Sequence, residues 1–312
     1  MASYIGKRIV YLLITLLIIL TATFFLMKEL PGTPFDSERF AMLSKQQQTQ
    51  FLEKYGLNDP VVMQYGKYIV NVFKGDLGTS FFYSGKPVSD VILGRIGPSA
   101  LIGTQAILLG LSVGLLLGII AACRHNSGID YFTMVMAVLG VSVPNFVVAA
   151  LLQYFIGLKW GILPVAFWES WKSSVLPSLA LSFGVTAMIA RFMRTEMLDV
   201  LAQDYIVTAR AKGLNQFKVL MRHAVRNSII PVVTILGPIV VNLLTGSLAV
   251  ENIYSIPGIG SLFVDCIKTN DYSTIMGITI FYSAFYIFIV MIVDILYSVI
   301  DPRIRLAASE EG

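Results

Sequence analysis

Residues 208–231 read TARAKGLNQFKVLMRHAVRNSIIP. The stretch carries Arg210, Lys212, Lys218, Arg222 and Arg226 and no acidic residue, yet apolar runs long enough to cross a bilayer flank it on both sides. Its first part has a helical pattern, Gly213 offers a break, and NQFKVLMRHAVRNSII resumes the helix. In that second piece Lys218, Arg222 and Arg226 fall at i, i+4 and i+8 and form a cationic stripe. Phe217, Leu220, Met221 and Ala224 are expected to make an adjacent apolar face. A short helix, a glycine and an amphipathic helix make a body that projects from a membrane and docks, or one that rests on anionic headgroups.

Working outward, the composition is that of a membrane protein. Of 312 residues, 56% are hydrophobic and only 13% charged, with a mean hydropathy of +0.74, whereas soluble domains carry about 25% charged residues. Six windows are free of charge and long enough to span: Ile9 to Met27, Ile96 to Cys123, Tyr131 to Leu158, Ser173 to Ala190, Asn227 to Val250 and Tyr272 to Val293. The fourth is the shortest. Backbone polar groups must be satisfied inside lipid, so each window is expected to be helical. The expected fold class is all-α, with six transmembrane helices.

Lys and Arg placement orients the spans. With the N-terminus inside, the inner segments hold Lys7, Arg8, Arg124, Arg191, Arg194, Arg210, Lys212, Lys218, Arg222, Arg226, Arg303 and Arg305, while the two short outer loops hold only Lys159, Lys172 and Lys268. Both termini are thus expected in the cytoplasm, in a multi-pass membrane protein. The first span reads as a retained anchor, because MKELPGTP follows it rather than a small-x-small cleavage site. Cys123 and Cys266 fall near opposite faces, which argues against pairing, and no metal-ligand spacing is present.

The chain divides into residues 1–28 with the first span, an outer cap segment 29–95, a core 96–305 containing the loop 191–226, and a tail 306–312. In the cap, SERFAMLSKQQQTQFLEKYGL reads as an amphipathic helix offering Phe40, Leu43, Phe51, Leu52 and Tyr55 for packing, with a second helical piece from about Val61 to Phe73 and a turn at KGDLGTS. Asp294 interrupts the end of span six, close to Asp301-Pro302-Arg303, and is read as an interfacial acid rather than a proton relay. His125 and His223 read as surface or packing residues. Asn242, Thr245 and Ser247 in span five are polar at a depth where side chains face a pore or another helix. Pro144 and Asn145 in span three fit a kink beside a pathway or simple packing.

The blocks YGLNDPVVMQYGKYIVNVFKGDLGTSF, SVPNF, VLPSLALS, ARFMRTEMLDVLAQDYIVTARAKGL, RHAVRNSIIPVVT, VENIYSIPGIGSL and IDPRIR carry a resemblance in their order and spacing. The chain resembles the membrane-spanning permease subunits of ABC importers, in the branch that handles dipeptides, oligopeptides and nickel, and within it the B-type subunit with a long first outer loop. The resemblance implies a type I ABC importer-like permease fold. It also implies a coupling loop seated in a cleft of a partner ATPase, at Thr208, Ala209, Arg210, Ala211, Lys212, Gly213, Leu214 and Phe217. Against the signature Glu-Ala-Ala-x3-Gly-x9-Ile-x-Leu-Pro, Gly213 matches the glycine and Ala209 the last alanine. Val207, Thr208, His223, Val225 and Arg226 depart from it.

The implied partners are a second homologous permease subunit, two ABC ATPases, an extracytoplasmic substrate-binding protein, peptide and membrane lipid, and no nucleic acid. Spans four to six would line the path through the bacterial cytoplasmic membrane, with Asn242 and Thr245 of span five as candidates and Pro144 and Asn145 of span three beside them, and PGIGSL would meet the binding protein. No cofactor is expected in the chain, and ATP and Mg are expected in the ATPases, since no G-x-x-x-x-G-K-[ST] phosphate loop occurs. The chain is therefore expected not to be an enzyme. A nickel or other small-solute permease of the same branch remains an alternative. A secondary transporter would call for buried charges in several spans or inverted repeats, and apart from Asp294 the sequence carries none.

Overall fold

The computed structural model describes residues 2–29, 42, 44–54, 58–83 and 85–300. The secondary structure it describes is helical, apart from one isolated bridge between Thr79 and Pro87. In chain order the helices are α1 (Ala2–Glu29), α2 (Lys45–Lys54), α3 (Val61–Phe73), α4 (Val88–Cys123), α5 (Gly128–Ser142) and α6, which begins as Asn145–Leu152 and ends as a π-helix at Gln153–Lys159. Next come α7 (Val175–Leu201), entered through a 3₁₀ turn at Trp171–Ser174, and α8 (Asp204–Ala211). Helix α9 starts at Gln216–Val219, passes a π turn at Leu220–Val225 and continues as Arg226–Leu244. The series closes with α10 (Leu248–Ile253), α11 (Ile259–Lys268) and α12 (Tyr272–Ile300).

Five of these stretches are long and apolar enough to cross a bilayer, and α5 with α6 makes a sixth if the bent pair is one span. The bend is 99°. Its cause is local: Pro144 has no N–H to give, and the residue before a proline avoids the helical region. Val143 accordingly sits at φ −83, ψ 120, and Pro144 becomes the N-cap of α6. The expected kink in span three is therefore a full break.

The residues form two compact units, Met1–Gly97 with Gly258–Ile287, and Pro98–Pro257 with Phe288–Gly312. In the first, Val88 and Ile92 of α4 pack with Ile259, Leu262 and Cys266 of α11 and Ile275 and Ile278 of α12. Burial pushes the Cys266 thiol up to about 12, so it is an inert packing group. Asp271, fully buried ahead of α12, accepts from the Ser80 and Thr274 hydroxyls and from the Phe81 N–H, which fixes the 80–83 turn. Of the cap residues expected to pack, Phe40, Leu43 and Tyr55 lie outside the described residues, as do the side chains of Phe51 and Leu52 within α2.

In the second unit α7 is the central element. About 67% of its most apolar window is enclosed, against 33% or less for the other long helices, although its hydropathy of 1.6 is the lowest of the five. The two facts belong together, because a helix wrapped by protein need not be as apolar as one wrapped by lipid. Leu176, Ala180, Leu181, Ile189, Met193 and Met197 form its buried face. Helix α4 reaches α7 through a glycine stripe: a Cβ on Gly110 would lie 2.6 Å from that of Val185, on Gly114 2.8 Å from that of Ile189, and on Gly118 2.6 Å from the Ala190 carbonyl oxygen. Small residues at every fourth position let two helix backbones approach, as membrane helices require.

Candidate functional site

The stretch quoted at the outset forms a corner at one end of α7. Helix α7 runs on past its apolar part to Leu201, and a break at Ala202 and Gln203, not expected from the sequence, turns the chain into α8. Helix α8 ends in a Schellman arrangement: the Leu214 N–H donates to the Ala209 carbonyl at 3.4 Å and the Gly213 N–H to the Arg210 carbonyl at 2.9 Å. Gly213 has φ +74, and a Cβ there would meet nothing within 4 Å. Glycine is thus required for its backbone conformation and not for a close approach. Asn215 then caps α9, its side chain accepting from the Phe217 N–H at 3.0 Å.

The corner has an inward face and an outward one. Ile206 and Ala209 of α8 and Val219 and Ala224 of α9 are buried in the same core as Met193 and Met197. The Ser228 hydroxyl, which donates to the Ala224 carbonyl, also reaches the carbonyl of Glu196 on α7. Thr208, Arg210, Ala211, Lys212, Gly213 and Leu214 face outward, and Phe217 is 67% exposed. The apolar face expected at Phe217, Leu220, Met221 and Ala224 is therefore corrected. The inward residues are Val219, half-buried Leu220 and Ala224, while Phe217 and Met221 point away. The π turn over Leu220–Val225 adds a residue to the helical repeat and moves the register that α-periodicity assigns. Of the eight loop residues named from the sequence, Ala209 alone is buried, so its part is to anchor the corner. Beside the corner opens a cleft of about 430 Å³ lined by Cys123, Leu201, Arg210, Gln216, Phe217 and Leu220, among others.

A buried ion pair ties the same end of α7 to α5. Arg194 donates from Nη2 to Asp130 Oδ2 at 2.8 Å and from Nε to Oδ1, and Asp130 is 1% exposed. The Asn126 N–H donates to the same carboxylate at 3.0 Å, and His125 Nδ1 lies 3.2 Å from it. His125 is thus held by a carboxylate that charge-free windows set aside, because Asp130 falls one residue before such a window. A scan for acids flanking spans would have found it.

The pathway candidates are dispersed. Pro144 is exposed at the break, and half-buried Asn145 packs on α7, its Oδ1 3.1 Å from where a Cβ of Gly184 would stand. Asn242 is exposed on the last turn of α9, and the Thr245 hydroxyl donates back to the Val241 carbonyl at 2.8 Å. The Thr245 hydroxyl also reaches the Asn242 carbonyl at 3.4 Å, and among the described residues no hydrogen bond links that pair to Pro144 or Asn145. Beyond Gly246, at φ +96, α10 folds back into the unit. There the Ser99 hydroxyl donates to Glu251 Oε1 at 2.7 Å, Tyr254 donates to the Ala149 carbonyl at 2.8 Å, and Gln153 Nε2 donates to the Ile253 carbonyl at 2.9 Å. Glu251 is a buried acid that the sequence reading passed over within VENIYSIPG. The backbone of Asp294 lies in α12, and its side chain is outside the described residues.

With this geometry in hand, comparison with known proteins places the chain. It is 44% identical to the dipeptide transport system permease protein DppB of Bacillus subtilis over 308 residues, covering 98% of this chain and 99% of that one. It is 42% identical to DppB of Lactococcus lactis subsp. cremoris over 306 residues, 98% and 100% of the two chains. It is 41% identical to the oligopeptide transport system permease protein OppB of Salmonella typhimurium over 309 residues, again 98% and 100%. Residues 1–96 match the N-terminal part of binding-protein-dependent transport system membrane components. Residues 114–306 match the binding-protein-dependent transport system inner membrane component, and the chain belongs to that family of membrane-embedded permeases.

Proposed function

We propose that the chain is one permease subunit of an ATP-driven importer of dipeptides or oligopeptides. It forms half of the pathway and takes its motion from ATPases that dock on the α8–α9 corner. The observation that carries this reading is the form of the corner. Its exposed rim holds Arg210, Lys212, Leu214 and Phe217, two cations and two apolar anchors, on a root buried against α7. A rim of that composition suits a protein partner, and a rooted helix–turn–helix moves as one body with α7. The peptide substrate is supported by the names of relatives that align along nearly the whole chain.

In this reading a second homologous permease completes the pathway, a substrate-binding protein delivers peptide from outside, and ATP and Mg are held by the ATPases. The corner and both termini face the cytoplasm. Closure of the ATPases draws the corners together and turns the pathway outward, and release resets it, a two-state element biased by ligands that prefer one state.

The test is reconstitution with the cognate subunits. Arg210→Glu with Lys212→Glu is expected to abolish ATP-driven peptide uptake while the permease still inserts and folds. Unchanged uptake in that variant removes the docking assignment, and uptake that persists on a proton gradient without ATP removes the importer reading.

A further inference from the structure

Helix α3 is outside the corner and outside every pathway candidate, and its three faces differ. Gln64, Lys67 and Asn71 form a polar face, on which Lys67 pairs with Asp59 at 2.5 Å. A second face carries Tyr65 and Tyr68, which pack on α1: their rings lie 5.4 and 5.5 Å from that of Phe24, and the Tyr65 hydroxyl is 2.7 Å from the Thr21 hydroxyl. The third face, at positions 62, 66, 69 and 73 of the helical repeat, is apolar and largely bare. Val62 is 77% exposed and Phe73 76%, with Met63 and Val70 about half exposed beside them.

Depth decides what covers this face. Helix α1 is a candidate span over Val10–Glu29, so Lys28 and Glu29 mark where its apolar part ends. Gln64 of α3 accepts from Lys28, which places the start of α3 at that boundary. Thr21 and Phe24, which hold the tyrosines, lie one to two turns deeper, about 10 Å of helix for the seven residues from Thr21 to Lys28. A helix packed at that level lies at the junction of headgroups and acyl chains, where tyrosines are enriched and amphipathic helices rest. A soluble protein meets the bilayer above that level.

We propose that α3 is an interfacial helix whose Val62, Met63, Val70 and Phe73 face is covered by the acyl chains of the lipid bilayer. Within the outer segment, α3 is then anchored to the membrane surface and does not stand free of it. The face carries no charge, which suits hydrocarbon, while Lys67 and Asn71 lie on the flanking polar face, beside Met63 and Val70.

The test uses the permease assembled with its partner subunits in vesicles of phosphatidylethanolamine and phosphatidylglycerol. Exposed Cys123 is replaced by serine and buried Cys266 kept. Nitroxides are placed at Val62→Cys, Phe73→Cys and, as the water-facing control, Lys67→Cys. At positions 62 and 73 collision with dissolved oxygen is expected to dominate, with loss of broadening by an aqueous nickel chelate; the control should show the reverse. Chelate broadening at 62 and 73 equal to the control overturns the proposal. So does poor access of both reagents that rises once the partner subunits are removed, since that marks a protein interface. If a label at 62 prevents assembly, Val70→Cys reads the same face.

Discussion

The Asp130 carboxylate collects the Arg194 guanidinium, the Asn126 N–H and the His125 ring at the foot of α7, with almost no access to water. Removing one member of such a pair leaves an uncompensated buried charge, at a cost of about 3–5 kcal/mol, whereas replacing both by apolar groups is often neutral. Asp130→Ala is therefore expected to lower the thermal midpoint of the purified permease sharply, and Asp130→Leu with Arg194→Met to recover most of the loss. Equal midpoints for the single variant and the parent would show that the pair adds nothing. Gly213 makes a weaker demand. Its φ of +74 costs a non-glycine residue roughly 1–2 kcal/mol, and open space around it removes any steric cost. Gly213→Asn, which tolerates that region, should retain more ATP-driven uptake than Gly213→Val; the reverse order would show that size at the corner matters and φ does not.

At the scale of the element, α4 and α7 depend on Gly110, Gly114 and Gly118, because side chains there would overlap Val185, Ile189 and Ala190. Gly114→Leu must push the helices apart, and overpacking of this kind costs about 1–3 kcal/mol or more. The expected result is loss of a monodisperse complex in size-exclusion chromatography, while Gly128→Ala, where a Cβ meets nothing within 4 Å, leaves the profile unchanged. The elements were also where sequence periodicity served unevenly. Charge-free runs located the long helices, because lipid tolerates nothing else. A 3.6-residue repeat put Phe217, Leu220, Met221 and Ala224 on one face of α9; across the π turn the structure divides them, with Leu220 and Ala224 turned in beside Val219, and Phe217 and Met221 exposed. The break at Ala202 was invisible because no glycine or proline marks it.

For the whole molecule, the α5–α6 pair sets the topology. A 99° bend suits either one broken span or a re-entrant loop, and the Lys and Arg distribution favours crossing, since it places Arg124, Arg194, Arg210 and Lys212 together. We expect Lys74→Cys and Lys212→Cys, in a Cys123→Ser background, to react with a membrane-impermeant maleimide from opposite sides of sealed vesicles. Labelling of both from the same side would make the pair re-entrant. That result would also overturn the cytoplasmic placement of both termini.

By itself the sequence determined that this is an all-helical membrane protein, where its apolar helices run, and that a glycine sits at the turn within the charged loop 191–226. Each follows from local constraints: hydrocarbon excludes charge and unpaired backbone, and only glycine adopts φ > 0 freely. Tertiary structure alone decided which helix is central, which side of α9 faces in, and that Asp130 finds Arg194 64 residues away. These depend on which surfaces meet, and the hydropathy that separates lipid from water does not separate lipid from protein. That is why the least apolar long helix could be the one at the core.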